Sequence, residues 1–275
     1  MLIRIALAAA LALAVLLPGR VQAEDPVAQV SRVLRLGEVI TVMRQEGLDY
    51  GQTLRATLFP DQGGAAWARE VDTIYDVSRL QAAFDARFRA ALPVAQVPAI
   101  LAFFDTDRGR RIVSLEIAAR MALRDPDVAT QAHQLLDDMT KAHAPRLAAL
   151  RAFAAANDLV ESNVSGTMNS DVAFYEGMVA GHAKGFEMTE AQIVAEVAAQ
   201  EDSIRQDTED WLYSFLALAY APLSDADLAA YTDFARSPAG TALNRALFTA
   251  FDGVFDAVAH DLGRAAARVL SGHAL

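Results

Sequence analysis

The sequence predicts an all-α protein, and three observations lead to that prediction. Apolar residues recur at helical spacing along most of the 275-residue chain. No alternation of apolar and polar residues is long enough for a convincing strand, and capping residues and prolines stand where helices should begin. We expect ten or so helices with short connections. They should form two tandem copies of a multi-helix unit, packed into one compact helical body.

Two early stretches show the helical period most clearly. Residues 27–47 are predicted to form a helix that stops at Gly47, and residues 65–88 repeat the pattern. Their apolar stripes contain Val30, Val33, Leu34, Val42 and Met43 in the first stretch and Trp67, Val71, Ile74, Leu80, Phe84 and Phe88 in the second. Each stripe needs a neighbouring helix to cover it, so both stretches should lie against a core.

Helix starts are marked further along the chain. Asp125 followed by Pro126 is typical of an N-cap and the first helical position, and Pro145 should kink or restart a helix. Thr189 and Gln192 have the spacing of a capping box, which satisfies two backbone N–H groups reciprocally.

An internal repeat joins the two halves of the chain. LPVAQVPAILAFFDTDRGRRI, from Leu92, aligns without a gap with LSDADLAAYTDFARSPAGTAL, from Leu223, at an offset of 131 residues. The offset pairs Leu92 with Leu223, Phe103 with Phe234, Gly109 with Gly240, Ile112 with Leu243, Leu80 with Trp211 and Phe84 with Phe215. We therefore divide the chain into a leader (1–23), a first helical repeat (24–157) and a second helical repeat (158–275).

The repeat predicts two matching helix corners. Ser237 should cap a helix that has Pro238 at its first position, and Thr106 should act as the cap in the first copy. Gly109 and Gly240 then lie inside the first turn, where glycine is unfavourable unless a neighbouring helix approaches closely. The predicted structural motif consists of Phe103, Thr106, Gly109, Phe234, Ser237, Pro238 and Gly240.

The second corner resembles a known family. Phe234, Ser237, Pro238 and Gly240 reproduce the aromatic-x-x-Ser-Pro-x-Gly segment of the domain of unknown function 2059 family, small helical exported proteins of Gram-negative bacteria. The resemblance covers residues 209–270, and more faintly residues 80–123. It implies an all-α fold and a periplasmic location, and it implies no activity.

The first residues predict export. MLIR is followed by the apolar run IALAAALALAVLLPG and by the small residues of VQA, which is the pattern of a signal peptide cleaved after Ala23. The alternative is a membrane anchor, but the run is shorter than the roughly 20 apolar residues of a spanning helix. We expect a periplasmic protein with no transmembrane segment after cleavage. It contains no cysteine and therefore no disulfide.

Charge and motifs exclude several functions. The formal net charge of −11 disfavours nucleic acid and anionic membranes as partners. No P-loop, dinucleotide fingerprint or hydrolase motif occurs, so we predict no cofactor and no catalytic residue. The best metal candidate is HQLLDDMTKAH, in which His133 and Asp137 share a helix face with Asp138 nearby, but His143 is almost three turns away. We interpret these residues, and the similarly spaced Asp256 and His260, as a solvated surface.

Three further features have both a structural and a functional interpretation. The glycines of EGMVAGHAKG (Gly177, Gly181 and Gly185) indicate either close helix packing within the protein or an approach path for a ligand. The RGRR sequence at Arg108 indicates either a solvated basic turn or an anion site. The aromatic residues Tyr213, Phe215 and Tyr220, near Trp211, are most simply core residues.

Two classes of function remain open from the sequence. The first, which we favour, is a non-catalytic binding or interaction protein with a groove for an apolar ligand or a periplasmic protein. The second is a hydrolase or metal-dependent enzyme whose site is assembled from distant helices. A cleft lined by leucine, methionine and phenylalanine would favour binding, whereas converging histidine and carboxylate side chains would favour catalysis.

Overall fold

The computed structural model describes residues 25–183 and 185–272, which form thirteen α-helices and contain no strand. The first eight are α1 (Pro26–Val33), α2 (Leu36–Leu58), α3 (Gly64–Ile74), α4 (Val77–Ala91), α5 (Val97–Phe104), α6 (Asp107–Ala122), α7 (Pro126–Lys141) and α8 (Pro145–Ala156). The remainder are α9 (Leu159–Ala180), α10 (Glu190–Ala198), α11 (Glu201–Tyr220), α12 (Asp225–Arg236) and α13 (Pro238–Leu270). The all-α prediction is confirmed, while the leader predicted at residues 1–23 lies outside the described residues.

The first predicted helix has different bounds from those expected. The chain breaks between α1 and α2 at Arg35, whose φ of 53° is left-handed, and α2 then runs through Gly47 to Leu58. Gly47 does not end the helix because its bare backbone faces the ring of Tyr75, which a Cβ at this position would overlap. The prediction that the helix stops at Gly47 was wrong: this glycine permits close packing.

The second predicted helix is divided in two. α3 ends at Ile74 and α4 begins at Val77, where the side chain of Asp76 accepts a hydrogen bond from the backbone N–H of Arg79 at 2.9 Å. Asp76 is thus an N-cap inside a stretch whose apolar period continues almost unbroken. Breaks of this kind raise the number of helices above the ten expected.

The other predicted helix starts are confirmed. Asp125 accepts a hydrogen bond from the N–H of Asp127 at 2.9 Å, with Pro126 in the first turn of α7. Pro145 begins α8. Gln192 accepts a hydrogen bond from the N–H of Thr189 at 2.8 Å, which completes the capping box of α10.

Two hydrophobic cores fill the described part of the chain. The larger core joins α1 to α5 with one face of α13, and the smaller one is formed by α6, α8, α11 and α12. α6 contributes to both cores through neighbouring residues, Ile112 in one and Val113 in the other. Each core therefore takes side chains from both sides of the predicted boundary at residue 157.

The longest helix, α13, packs most extensively along α9. Two glycines allow this crossing: a Cβ at Gly177 would overlap the carbonyl oxygen of His260, and one at Gly263 would overlap that of Phe174. Gly181, at the end of α9, likewise faces Arg264 of α13. The packing interpretation is confirmed for Gly177 and Gly181. Gly185 does not belong to this surface, because it lies in the following loop with a φ of 86°.

Length and composition alone identify no single membrane-spanning helix within residues 25–183 and 185–272. Within the same ranges one bent pair, Gly64–Ala91 with Val94–Phe104, meets these criteria jointly, and its two limbs lie at 85° to each other.

Candidate ligand-binding cleft

The predicted motif residues form two corners that face each other. Thr106 Oγ1 accepts a hydrogen bond from the N–H of Gly109 at 3.1 Å, and Ser237 Oγ accepts one from the N–H of Gly240 at 3.1 Å. Pro238 is the first residue of α13. The rings of Phe103 and Phe234 stack on each other, with centroids 4.3 Å apart.

At both corners the glycine lies against the preceding helix. A Cβ at Gly109 would overlap the backbone of Phe103 and Phe104, and a Cβ at Gly240 would overlap the carbonyl group of Phe234. Both glycines are buried. The corner residues therefore have structural contacts that account for them, and no ligand is needed to explain their presence.

A cleft of 510 Å³ lies between α9, α11 and α13, close to the C-terminal end of α6. α9 contributes small and polar side chains between Asn163 and Asp171, whereas α13 contributes mainly apolar ones. The α13 residues that line it are Asn244, Leu247, Phe248, Phe251, Asp252 and Phe255. They recur every three or four residues, so the cleft follows one face of α13.

Aromatic rings form much of the cleft wall. Trp211 is 45% exposed and lies parallel to Phe215, with ring centroids 5.5 Å apart. Phe255 is 37% exposed and lies beside Phe251, which in turn contacts Phe84 of the core. The ring of Trp211 therefore lies at the cleft and remains open to solvent. Large exposed aromatic rings are typical of binding surfaces.

Carboxylates line the polar side of the cleft. Burial, and to a smaller extent the neighbouring charge of Asp256, raises the pKa of Asp252 to about 6. Burial also raises the pKa of Asp171 above its usual value. Asp256 behaves similarly but accepts a hydrogen bond from Ser170 Oγ at 3.1 Å, which opposes the shift. The carboxylates are thus held in surroundings that disfavour their charge.

The basic residue of the cleft is already paired. Arg120 of α6 donates two hydrogen bonds to Glu46 of α2, each 2.8 Å long, in a bidentate arrangement. Such a pair fixes the guanidinium plane and largely neutralises its charge.

A smaller cavity of 230 Å³ adjoins the cleft and shares Arg120, Leu247 and Phe251 with its lining. Its wall is otherwise mainly apolar, and Glu116 is its acidic residue. The hydroxyl groups of Tyr220 and Tyr231 donate to Glu116 Oε1 at 2.6 and 3.2 Å.

Burial raises the pKa of Glu116, and the two tyrosine hydrogen bonds partly offset that effect. The pKa values of both tyrosines are raised well above their usual range by burial and by the nearby carboxylate. Glu116, Tyr220 and Tyr231 thus form a small hydrogen-bonded polar network in otherwise apolar surroundings.

The predicted metal candidates are separated and engaged elsewhere. His133 Nδ1 lies 2.9 Å from Ser214 Oγ, and Asp137 pairs with Lys141 at 3.8 Å. His143 lies in the loop after α7, with a left-handed φ of 48°. In the part of the chain that the structure describes, no group of three or more histidine, aspartate and glutamate residues is placed to hold a metal ion.

The arginines of RGRR are used in contacts within the protein. Arg108 donates to Asp227 at 2.6 Å, and Arg111 donates to the carbonyl oxygen of Pro222 at 2.6 Å. Arg110 pairs with Asp105 and Asp107. The structure therefore favours the basic turn over the anion site.

Sequence reasoning missed the cleft itself. Asp252 and Asp256 interrupt the aromatic segment FTAFDGVFDAV at helical spacing, which places carboxylates and phenylalanines on adjoining faces of one helix. That mixture was the available signal. Asp171 and Trp211 carry no comparable mark, because only the packing of α9 and α11 against α13 brings them to the cleft.

No protein family, no curated protein and no solved structure matches the chain.

Proposed function

We propose that this is a non-catalytic binding protein whose cleft between α9, α11 and α13 holds a small molecule with a substantial apolar part. The supporting observation is that the cleft adjoins the smaller 230 Å³ cavity, which we call the inner cavity. The two share Leu247 and Phe251 as common walls. An apolar group can pass from the exposed ring of Trp211 toward the interior while remaining against side chains that exclude water.

The polar groups of the cleft support binding over catalysis. Among the described residues its lining contains amides, hydroxyls, carboxylates and one paired arginine, and no histidine. The alternative function, a hydrolase or metal-dependent enzyme, requires a nucleophile with an adjacent base or a set of metal ligands. Ser170 is the hydroxyl nearest to such a role, but its partner Asp256 is a single carboxylate, and among the described residues no further side-chain hydrogen bond orients the pair.

We further propose that the chain is exported to the periplasm and consists of two copies of one helical unit. The leader sequence supports export, and the matching caps at Thr106 and Ser237 support the duplication. The resemblance of residues 234–240 to the domain of unknown function 2059 family agrees with the proposed export. Under the duplication, the stacked rings of Phe103 and Phe234 lie where the two copies meet.

Binding of an uncharged apolar dye, N-phenyl-1-naphthylamine, tests the function. Its fluorescence should rise on titration into purified protein, and Phe255→Ser should weaken this binding roughly 30-fold, since burying a phenylalanine contributes about 2 kcal/mol. Val194→Ser is the matched control, because Val194 is an exposed apolar residue outside the cleft lining. Its dye affinity should equal that of the unmodified protein.

The dye experiment also has a clear negative outcome. Dye binding that both variants weaken equally, or that neither changes, would place the apolar site elsewhere and contradict the proposal. Tryptophan quenching gives a second readout: Trp211 lies in the cleft, whereas Trp67 is buried in the larger core. Quenching that persists in Trp211→Phe would likewise contradict it.

A further inference from the structure

Two carboxylates of the cleft have no cationic partner. Within the described residues, Asp171 and Asp252 form no ion pair and no side-chain hydrogen bond, and no nearby cation lowers the pKa of either. The carboxylate of Asp252 extends toward α9, where a Cβ at Gly166 would lie 2.9 Å from its Oδ1. The charge of Asp252 is therefore directed across the cleft between α13 and α9.

The other charged groups near the cleft do not neutralise the negative charges of Asp171 and Asp252. Arg120 faces the cleft but is bound by Glu46, and Asp256 adds a further negative charge beside Asp252. The positive charge of Arg87 lowers the pKa of Asp256 and so acts on that carboxylate. The side chain of Arg87 lies against Gly253. The cleft therefore carries excess negative charge and attracts positively charged molecules.

The aromatic rings of the cleft also favour a positively charged ligand. Trp211, Phe251 and Phe255 line the cleft, and an aromatic ring attracts a cation to its face through its quadrupole. Carboxylates and aromatic rings that line the same cleft together suit an ammonium group, particularly one whose substituents are apolar. An anionic head group would be repelled by the carboxylates and would gain no attraction from the faces of the aromatic rings.

We propose that the cleft binds an organic cation with an apolar tail, its ammonium group between Asp171, Asp252 and Trp211 and its tail along Phe251 toward the inner cavity. This inference rests on the proposed binding function and specifies the ligand class. The tail would meet Leu247 and the apolar wall beyond it, while the head group would remain near the solvent-exposed rim.

The raised pKa values of the cleft carboxylates agree with this assignment. Burial without a counter-ion makes their charged forms unfavourable, so a bound cation would relieve a penalty that the empty cleft carries. Residues placed for folding alone would be expected to have partners, as Glu46 and Arg120 have.

Three probes with one tail length test the inference: decylammonium, decanol and decanoate, each titrated into purified protein at pH 7.5 by calorimetry. Decylammonium should bind about tenfold more tightly than decanol, and decanoate should bind most weakly, since tenfold corresponds to one favourable ion pair or cation–π contact. The ranking isolates the head group because the tail is constant.

The double variant Asp171→Asn/Asp252→Asn should bind decylammonium and decanol with equal affinity. Its control is Asp61→Asn/Asp202→Asn, which removes the same charge from exposed carboxylates outside the cleft lining and should keep the tenfold preference. A preference lost equally in both doubles would reflect net charge alone and would overturn the inference.

The outcomes separate this inference from the function on which it rests. If decanol binds as tightly as decylammonium and Phe255→Ser weakens both, the cleft is an apolar binding site and the cation assignment is wrong. If no probe responds to Phe255→Ser, the proposed function itself fails. Binding of a basic peptide in place of every small probe would also overturn the ligand class.

Discussion

The corner at residues 103–109 and the corner at residues 234–240 have the same hydrogen bonds but lead into different helices. In each, a hydroxyl side chain caps the helix and a buried glycine meets the preceding helix. The first corner begins the 16-residue helix α6, and the second begins the 33-residue helix α13, which crosses the larger core.

The proposed repeat diverges upstream of the corners. Leu80 and Phe84 are fully buried in the larger core, whereas the aligned Trp211 is 45% exposed and Phe215 lines the inner cavity. The alignment preserves apolar character at these positions but does not preserve burial. The second set of side chains therefore faces a cavity where the first set faces a packed interior.

The comparison shows which contacts constrain the chain most. A helix corner with overlapping backbones accepts only glycine at one position, so both corners keep it. A surface between helices tolerates changes in side-chain size as long as the helices remain in place. The cleft lies in the second kind of region, where a binding site can arise without disturbing the corners.

The largest effect should come from the corner glycines. Gly240→Ala should lower the free energy of unfolding by about 3 kcal/mol and Gly109→Ala by about 2 kcal/mol, because each Cβ would collide with backbone that is held in a packed helix. The collision at Gly240 is the closer one. Urea denaturation of both variants measures the difference.

Gly37→Ala is the control for this pair. Gly37 lies in α2 with only the flexible Gln81 side chain near its Cβ position, so alanine should be neutral or stabilising by up to about 1 kcal/mol. Stabilisation by alanine at Gly240 would mean that the corner is looser than its geometry indicates, and the equivalence of the two corners would fail with it.

The caps should have a smaller effect. Ser237→Ala and Thr106→Ala should each lower the free energy of unfolding by about 1 kcal/mol, with the larger loss at Ser237, because its corner is less exposed. Thermal or urea denaturation provides the measurement, with Ser237→Thr, which keeps the acceptor oxygen, as the conservative control. If Ser237→Ala were as stable as the parent protein, the Ser237 cap would not stabilise the second corner.

The smallest effect concerns the diverged region. The pKa of Asp252 is raised to about 6 in the folded protein, so this carboxylate binds more protons folded than unfolded, and its contribution to stability falls as the pH rises from about 4 through 6. Asp252→Asn should therefore raise the free energy of unfolding at pH 7.5 by less than about 1 kcal/mol, a value discounted because the group is partly exposed to solvent.

The gain from Asp252→Asn should shrink to a small remainder at pH 4, where the folded carboxyl is protonated and the unfolded one is about half protonated. Urea denaturation at pH 7.5, 5 and 4 follows this dependence, with Asp61→Asn as a control that should show none of it. A destabilised Asp252→Asn variant would mean that the charge supports the fold, which would remove one reason for assigning it to a ligand.

The sequence predicted the helical class and the local hydrogen bonds well. The capping hydrogen bonds of Asp125, Thr189 and the corner residues join residues no more than three positions apart. A short stretch of sequence is therefore enough to predict them. Periodicity was less successful at breaks such as Asp76, because the apolar stripe continues across them. Glycines were ambiguous, since Gly47 allows a close contact with a ring distant in sequence.

The cleft could not be predicted in the same way. Asp171, Trp211 and Asp252 come from three helices, and their proximity depends on how α9 and α11 pack against α13. One local pattern, the carboxylates within FTAFDGVFDAV, indicated an unusual helix face but not what it faced. The burial that raises the pKa of Asp252 is likewise a property of the packed protein.

The participation of α13 in the larger core has a consequence for folding order. Residues 27–117 supply most of that core, yet Leu243, Val254 and Leu262 complete it from the last helix. The early helices cannot close their apolar faces until residues more than a hundred positions later are available, and such long-range closure slows folding. A chain truncated before Pro238 would leave exposed to solvent the apolar faces of α4 and α9 that α13 covers. Such an incompletely folded chain would be open to proteolysis.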